Sequence, residues 1–341
     1  MMTLPWLDLP LVWGGLIAFA VLAYVLLDGF DLGCGILFAV VRDPHERDLM
    51  VNTVAPVWDG NETWLILGGG GLFAVFPLAY SIIMPAMYPL IIGMLLSLVF
   101  RGVAFEFRFR AVRARSRRAW DVAFLAGSTL AAFCQGLVLG GLLQGVHVVN
   151  GRYAGGWFDW LAPFTVLCGI ATVVGYALLG AAWLVWRTEG AFQQRARRMA
   201  GVLGAATLLL IAAVSLWTPF LSGDYARRWF AWPTVVLTAS VPLLVAVLAV
   251  VFWRALGNPA RHVTPFLCAV GWFVLSFAGL GISLYPHIIP PDITLWDAAA
   301  PPASQAFLLV GGVVLLPMIL AYNAFAYWIF RGKVRLGEGY H

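Results

Sequence analysis

Long, nearly continuous apolar runs alternate with short polar connections along the whole chain. A helix needs about 20 apolar residues to cross a bilayer. Nine runs qualify, near residues 11–41, 56–76, 80–107, 120–146, 160–186, 199–220, 233–254, 263–286 and 305–330. Membrane β-strands would instead alternate apolar and polar positions over about ten residues. The runs are unbroken, so the expected fold is an all-α polytopic membrane protein of about nine helices. The connections are too short for a soluble domain, and residues 1–341 read as a single integral membrane domain. The connection 286–304 holds Pro286, Pro290, Pro291, Pro301 and Pro302. That spacing predicts a rigid, irregular cap rather than a helix.

Composition agrees with this reading. Hydrophobic residues make up 62% of the chain and charged residues 11%, against about 25% charged in soluble domains. The formal charge of +5 would suggest a nucleic-acid partner in a soluble protein. Here the basic residues lie between apolar runs, so topology accounts for them and no nucleic acid is expected. Arg42 and Arg47 occupy the first connection, and Arg101 to Arg118 crowd the third. Arg187 to Arg198 lie in the fifth, Arg254 and Arg261 in the seventh, and Arg331, Lys333 and Arg335 in the tail. Only Arg152, Arg227 and Arg228 fall in the other connections. Positive residues mark the cytoplasmic face, which predicts a periplasmic N-terminus, a cytoplasmic C-terminus and an odd helix count. The first run is longer than a signal h-region and lacks a basic leader, so it reads as a mature span.

The chemistry-bearing residues are acids inside the apolar runs: Asp28, Asp31, Asp59, Glu62 and Glu106. An acid at mid-bilayer costs roughly 2.5–3.5 kcal/mol on insertion scales and is a functional candidate by default. The predicted orientation gathers all five toward the cytoplasmic side. Asp28 and Asp31 are spaced i, i+3 and so share one helical face, as do Asp59 and Glu62. Meeting faces would build a ladder of carboxyl groups suited to proton or cation transfer. Structural roles stand beside this reading. Asp59 would favour a helix N-terminus, and Glu106 would pair with Arg101 or Arg110. Trp64 lines a pathway or packs. Gly68 to Gly71 precede no GK[ST] triplet and suit close helix approach.

Other residue classes yield little. Cys34, Cys134, Cys168 and Cys268 form no CxxC, so the spacing offers no zinc, iron–sulfur or c-type haem site. His45, His147, His262, His287 and His341 fall at run ends, in connections or in the tail. His147 and His287 are conceivable haem ligands, but an interfacial polar role fits them better. No metal site and no cofactor ligated by this chain is expected. No serine–histidine–acid arrangement stands out.

Five motifs carry a family resemblance: DGFDLG at 28–33, APVWDGNETWLI at 55–66, FRGVAFEFR at 100–108, LLQGV at 142–146 and LWDAA at 295–299. With the nine-run layout, the chain resembles subunit II of cytochrome bd-type quinol oxidases, including the cyanide-insensitive branch. The resemblance implies a complex in the bacterial cytoplasmic (inner) membrane that oxidises quinol and reduces O2 to water. It implies a partner subunit I that carries haem b and haem d, and it leaves room for a small single-helix subunit and a structural quinone. Subunit II is then a non-haem-ligating component of the enzyme that supplies a proton path from the cytoplasm. By motif, Asp59 of WDGN and Glu106 of FRxxxFE match the path residues. Many members have Asp at the second position, so the reach differs here. Trp64 matches a residue associated with the oxygen route, and Asp28 and Asp31 match the acidic pair of the first helix. Two other classes fit the same acids: a proton- or cation-coupled transporter and a pure assembly scaffold. Crowding of the acids into the first three runs favours a one-sided inlet feeding a neighbour.

Overall fold

The computed structural model describes residues 7–335; His341 lies outside them. Helices account for most of the chain. They are α1 (Leu9–Ile36, extended by a 3-10 turn Leu37–Ala39), α2 (Pro44–Val54), α3 (Trp58–Val75), α4 (Pro77–Arg110) and α5 (Ala114–Gln144). A two-stranded ribbon follows, β1 (Val148–Val149) with β2 (Arg152–Tyr153). Next come α6 (Pro163–Arg187), α7 (Gly190–Trp217), α8 (Gly223–Phe230), α9 (Val235–Thr238), α10 (Ser240–Leu256) and α11 (Thr264–Leu284). A second ribbon, β3 (His287–Ile289) with β4 (Ile293–Thr294), leads to α12 (Leu295–Ala298) and α13 (Pro302–Ile329). Proline opens α2, α4, α6 and α13, where its missing N–H costs nothing and its fixed φ suits the first turn.

Among the described residues, eight helical segments of 21 to 34 residues are long and apolar enough to cross a membrane. The remaining expected span, the second (56–76), is α3. Its 18 residues reach about 27 Å, but Asp59, Asn61, Glu62 and the run Gly68–Gly71 dilute its apolar character. The seventh expected span is broken, with α9 leading into α10 at Ala239.

The connection 286–304 departs from the expected irregular cap. It contains an antiparallel ribbon and the one-turn helix α12. Thr294 and Asp297 cap that turn reciprocally, with Asp297 Oδ2 accepting the Thr294 N–H at 3.0 Å in a capping box. The prolines sit at the ribbon turn and flanks, which leaves 295–298 free to coil. The Trp296 indole then donates to Asp8 at the N-cap of α1, 3.0 Å away.

α1 lies at the centre, against α3, α5 and α6. Its contact with α6 is backbone to backbone. A Cβ on Gly33 would fall 1.9 Å from the Tyr176 carbonyl oxygen, and one on Gly180 would fall 2.5 Å from the Gly33 carbonyl carbon. Small residues permit such approaches between membrane helices. α13 is held more loosely; only Gln305 and Asn323 along it are buried. All four cysteines are free and buried within helices.

At the basic end, α2 is clamped under the bundle, an element the apolar pattern gave no sign of. Asp121 of α5 accepts from Arg47 at 2.8 Å and from Arg108 at 2.5 Å. Asp48 of α2 accepts from Arg108 at 2.6 Å and also from Arg117. Phe38 lies between two guanidinium groups, 4.9 Å from Arg47 and 5.6 Å from Arg108, a cation–π arrangement. Burial opposes ionisation of Asp48, but hydrogen bonds from Arg117 and Arg108 outweigh it and hold the carboxyl below its usual range.

Candidate functional site

The DGFD, WDGNE and FR motifs meet at one point. Arg101 of α4 is fully buried. Its Nη1 donates to Asp28 Oδ1 of α1 at 2.5 Å, and its Nη2 to Glu62 Oε2 of α3 at 3.3 Å. Trp58 supports the guanidinium at 5.7 Å from the ring centre and stacks on Phe105 at 5.2 Å. Asp31, one turn beyond Asp28, accepts from Asn61 Nδ2 at 2.7 Å. Asp28 and Asp31 are fully buried, and 27% of the Glu62 side chain is exposed. A buried ion pair is tolerated when its remaining valences are met. Here Asp28 Oδ2, Asp31 Oδ1 and Arg101 Nε find no protein partner.

Three of the five sequence-predicted acids thus converge: Arg101 pairs with Asp28 and Glu62, and Asp31 lies one turn beyond Asp28 with Asn61 as its partner. The other two stand apart. Asp59 is exposed on the α3 face that also carries Glu62. Glu106 is 61% exposed and lies 3.7 Å from Arg110, not from Arg101. Helical phase explains this: five residues beyond Arg101, Glu106 has rotated about 140° around α4. Arg108, seven residues on, returns to the buried face.

Sequence reasoning missed the neutral polar residues around the acids. Asn61 also donates to the Leu27 carbonyl at 3.2 Å and accepts from the Tyr327 hydroxyl at 2.7 Å. Tyr24 lies one turn before Asp28 on α1, and its hydroxyl accepts from Gln135 at 2.7 Å. Gln135 and Tyr176 extend that chain. The available signal was position: Tyr24 and Asp28 are spaced i, i+4, and Asn61 lies between two acids already singled out.

Trp64 is buried, edge-on to Phe19 at 5.6 Å. It borders a mainly apolar groove of about 330 Å³ between α1, α3 and α13. Its indole N–H and Asn323 Nδ2, also on the groove, lack protein partners. Among the described residues, no group of three or more His, Cys, Asp or Glu side chains is arranged to hold a metal ion.

A multi-helix membrane protein with a largely buried carboxyl–guanidinium centre near its basic end is the class these features define. The family model for cytochrome bd terminal oxidase subunit II matches residues 9–330, and the chain belongs to that family. It is 31% identical to cytochrome bd-I ubiquinol oxidase subunit 2 of Escherichia coli (strain K12), over 95% of this chain and 94% of that protein. It is 27% identical to cytochrome bd ubiquinol oxidase subunit 2 of Bacillus subtilis (strain 168), over 95% and 96% of the respective chains. Its fold resembles a chain of the bd oxidase from Geobacillus thermodenitrificans, with a TM-score of 0.76 at 16% identity, covering 95% of this chain and 99% of that one. The chain is therefore a multi-pass inner-membrane subunit of an oxidoreductase complex, a respiratory terminal oxidase, and it implies a partner subunit I.

Proposed function

We propose that this subunit delivers cytoplasmic protons to a haem-bearing subunit I, where quinol is oxidised and O2 is reduced to water. The observation that carries the reading is the buried cluster of Asp28, Asp31 and Glu62 around Arg101. Two carboxyl groups on one guanidinium, with a third, Asp31, a helical turn away, make a site that can exchange protons inside a low-dielectric core. Glu62 joins the buried pair to the protein surface, and Asp59 is three residues before it on the same face. Groups within hydrogen-bond or one-water reach can relay a proton. Glu106, exposed on α4, would act from a surface that faces the partner. This chain ligates no haem; haem b and haem d belong to subunit I. Trp64 and its apolar groove suit passage of a small apolar gas such as O2 from the lipid. The orientation with a periplasmic N-terminus, a structural quinone and a small single-helix subunit belong to the same proposal. Family membership takes the place of the transporter reading.

The test is turnover per assembled complex. Asp59→Asn and Glu62→Gln should slow O2 reduction about ten-fold or more, in line with loss of a relay group, while the complex still assembles. Glu106→Gln should act more weakly, and wild-type turnover would remove Glu106 from the route. Loss of the complex with unchanged turnover per assembled enzyme would reassign Asp59 to structure.

A further inference from the structure

Two carboxamides bracket the buried acids. Asn61 stands between Asp31 and Tyr327: its Nδ2 donates to Asp31 Oδ2 and its Oδ1 accepts from the Tyr327 hydroxyl, both at 2.7 Å. Gln135 stands between Tyr24 and Tyr176: its Nε2 donates to the Tyr24 hydroxyl and its Oε1 accepts from the Tyr176 hydroxyl, again at 2.7 Å. Tyr24 is buried on α1 four residues before Asp28, a spacing that puts the two on one helical face. A backbone carbonyl accepts only, so Leu27 fixes which way the Asn61 amide points. In both chains the outer tyrosine donates to the amide and the amide donates inward, to Asp31 or to Tyr24.

We propose that Asn61 and Gln135 are positioning residues that bound the proton-carrying cluster, holding Asp31 and Tyr24 in place and ending the relay at those points. The proposal rests on the proton-supply reading above. A relay runs through groups that readily accept a proton and release one, such as carboxyl, hydroxyl and water. A carboxamide N–H gives up its proton only by passing through the imidic-acid form. Each amide is therefore a stop, and Tyr327 and Tyr176 lie beyond it. Inside the stops are Asp28, Asp31, Glu62 and Tyr24 around Arg101. Asp28 Oδ2 and Asp31 Oδ1 remain without protein partners, one acceptor on each acid. α2 covers this end of the bundle, with Thr53 against Cys34 and the Trp183 indole. That leaves Glu62, the member of the cluster that reaches the surface, as the door through which protons enter and leave.

The deciding measurement is the pH profile of turnover in the assembled two-subunit oxidase. The charged and titratable groups facing Asp31 are Asp28, Cys34, Glu62, Arg101 and Tyr327. Asn61→Ala should displace the profile and lower turnover about five-fold, the loss of one typical hydrogen bond. Asn61→Asp and Gln135→Glu keep the shape but replace a stop with a relay group, and each should add a titrating limb. The carboxyl region of the redox infrared difference spectrum gives a second readout. Asp31→Asn identifies the Asp31 band, and Asn61→Ala should shift it. If Asn61→Ala does not assemble, Tyr327→Phe removes only the hydroxyl that anchors the amide and should move the same profile. An unmoved profile in whichever of these assembles, together with wild-type behaviour of Asn61→Asp, overturns the proposal even if Asp31→Asn is slow. Wild-type turnover in both Asp28→Asn and Asp31→Asn overturns the proton-supply reading itself.

Discussion

Arg101 is the residue whose loss the bundle can least absorb. It is fully buried and holds Asp28 and Glu62 at once. Removing one member of a buried pair leaves the other charge uncompensated, at a cost of about 3–5 kcal/mol. Arg101→Ala should therefore sharply lower the yield of complex extracted from membranes. Arg101→Lys keeps the charge but loses the planar fork, and should recover part of that yield. A lysine variant no better than alanine would show that the fork geometry, rather than the charge, is what the site needs. The acids themselves were legible because a carboxyl group in an apolar run is conspicuous. Asn61 and Gln135 were not, because an amide in a membrane helix has an ordinary packing role until its partners are known. Gln135 meets a tyrosine 111 positions away in sequence. Glu106 was legible as a charge and illegible as a direction, since a linear sequence does not say which way a helix is turned.

Between elements, two kinds of contact set the geometry around the site. The α1–α6 contact depends on Gly33 and Gly180. Gly33→Ala would push the helices apart at the level of Asp31, and loss of assembled complex is the expected outcome. The run Gly68–Gly71, read in the sequence as a helix-approach element, divides in two. Gly68 and Gly71 face Val21 and Ile17 of α1, while Gly69 and Gly70 meet nothing within 4 Å. The α2 clamp is electrostatic instead. The Asp48 carboxyl has a lowered folded pKa, so its contribution is complete above the unfolded value of about 3.9. That contribution fades only as the pH falls through the lower folded value. Amide exchange protection of 44–54 should thus persist through mild acid and fall away below about pH 4. Asp121→Asn weakens the bonds to Arg47 and Arg108 together and should expose 44–54 to faster exchange at neutral pH. The sequence showed none of this, because 11 residues of mixed polarity cannot span a bilayer and their partners lie on α4 and α5.

For the whole molecule, the apolar pattern located each long helix, because each run must be long enough to cross hydrocarbon, but it missed the basic first turns: α7 begins at Gly190 and α5 at Ala114, nine and six residues before the expected starts. It gave no sign of the short elements at the bundle ends. α8, α12 and both ribbons are fixed by capping and tertiary contacts rather than by hydropathy. The overall orientation rests on the charge distribution, and the structure supplies a way to read it directly. Every native thiol is enclosed within a helix, so the folded chain offers none to an aqueous reagent. Val112, 98% exposed in the arginine-rich turn after α4, could carry a single reactive cysteine without any native one being removed. A membrane-impermeant maleimide should then label Val112→Cys in inverted vesicles and spare it in intact spheroplasts. The opposite pattern would turn the whole chain over.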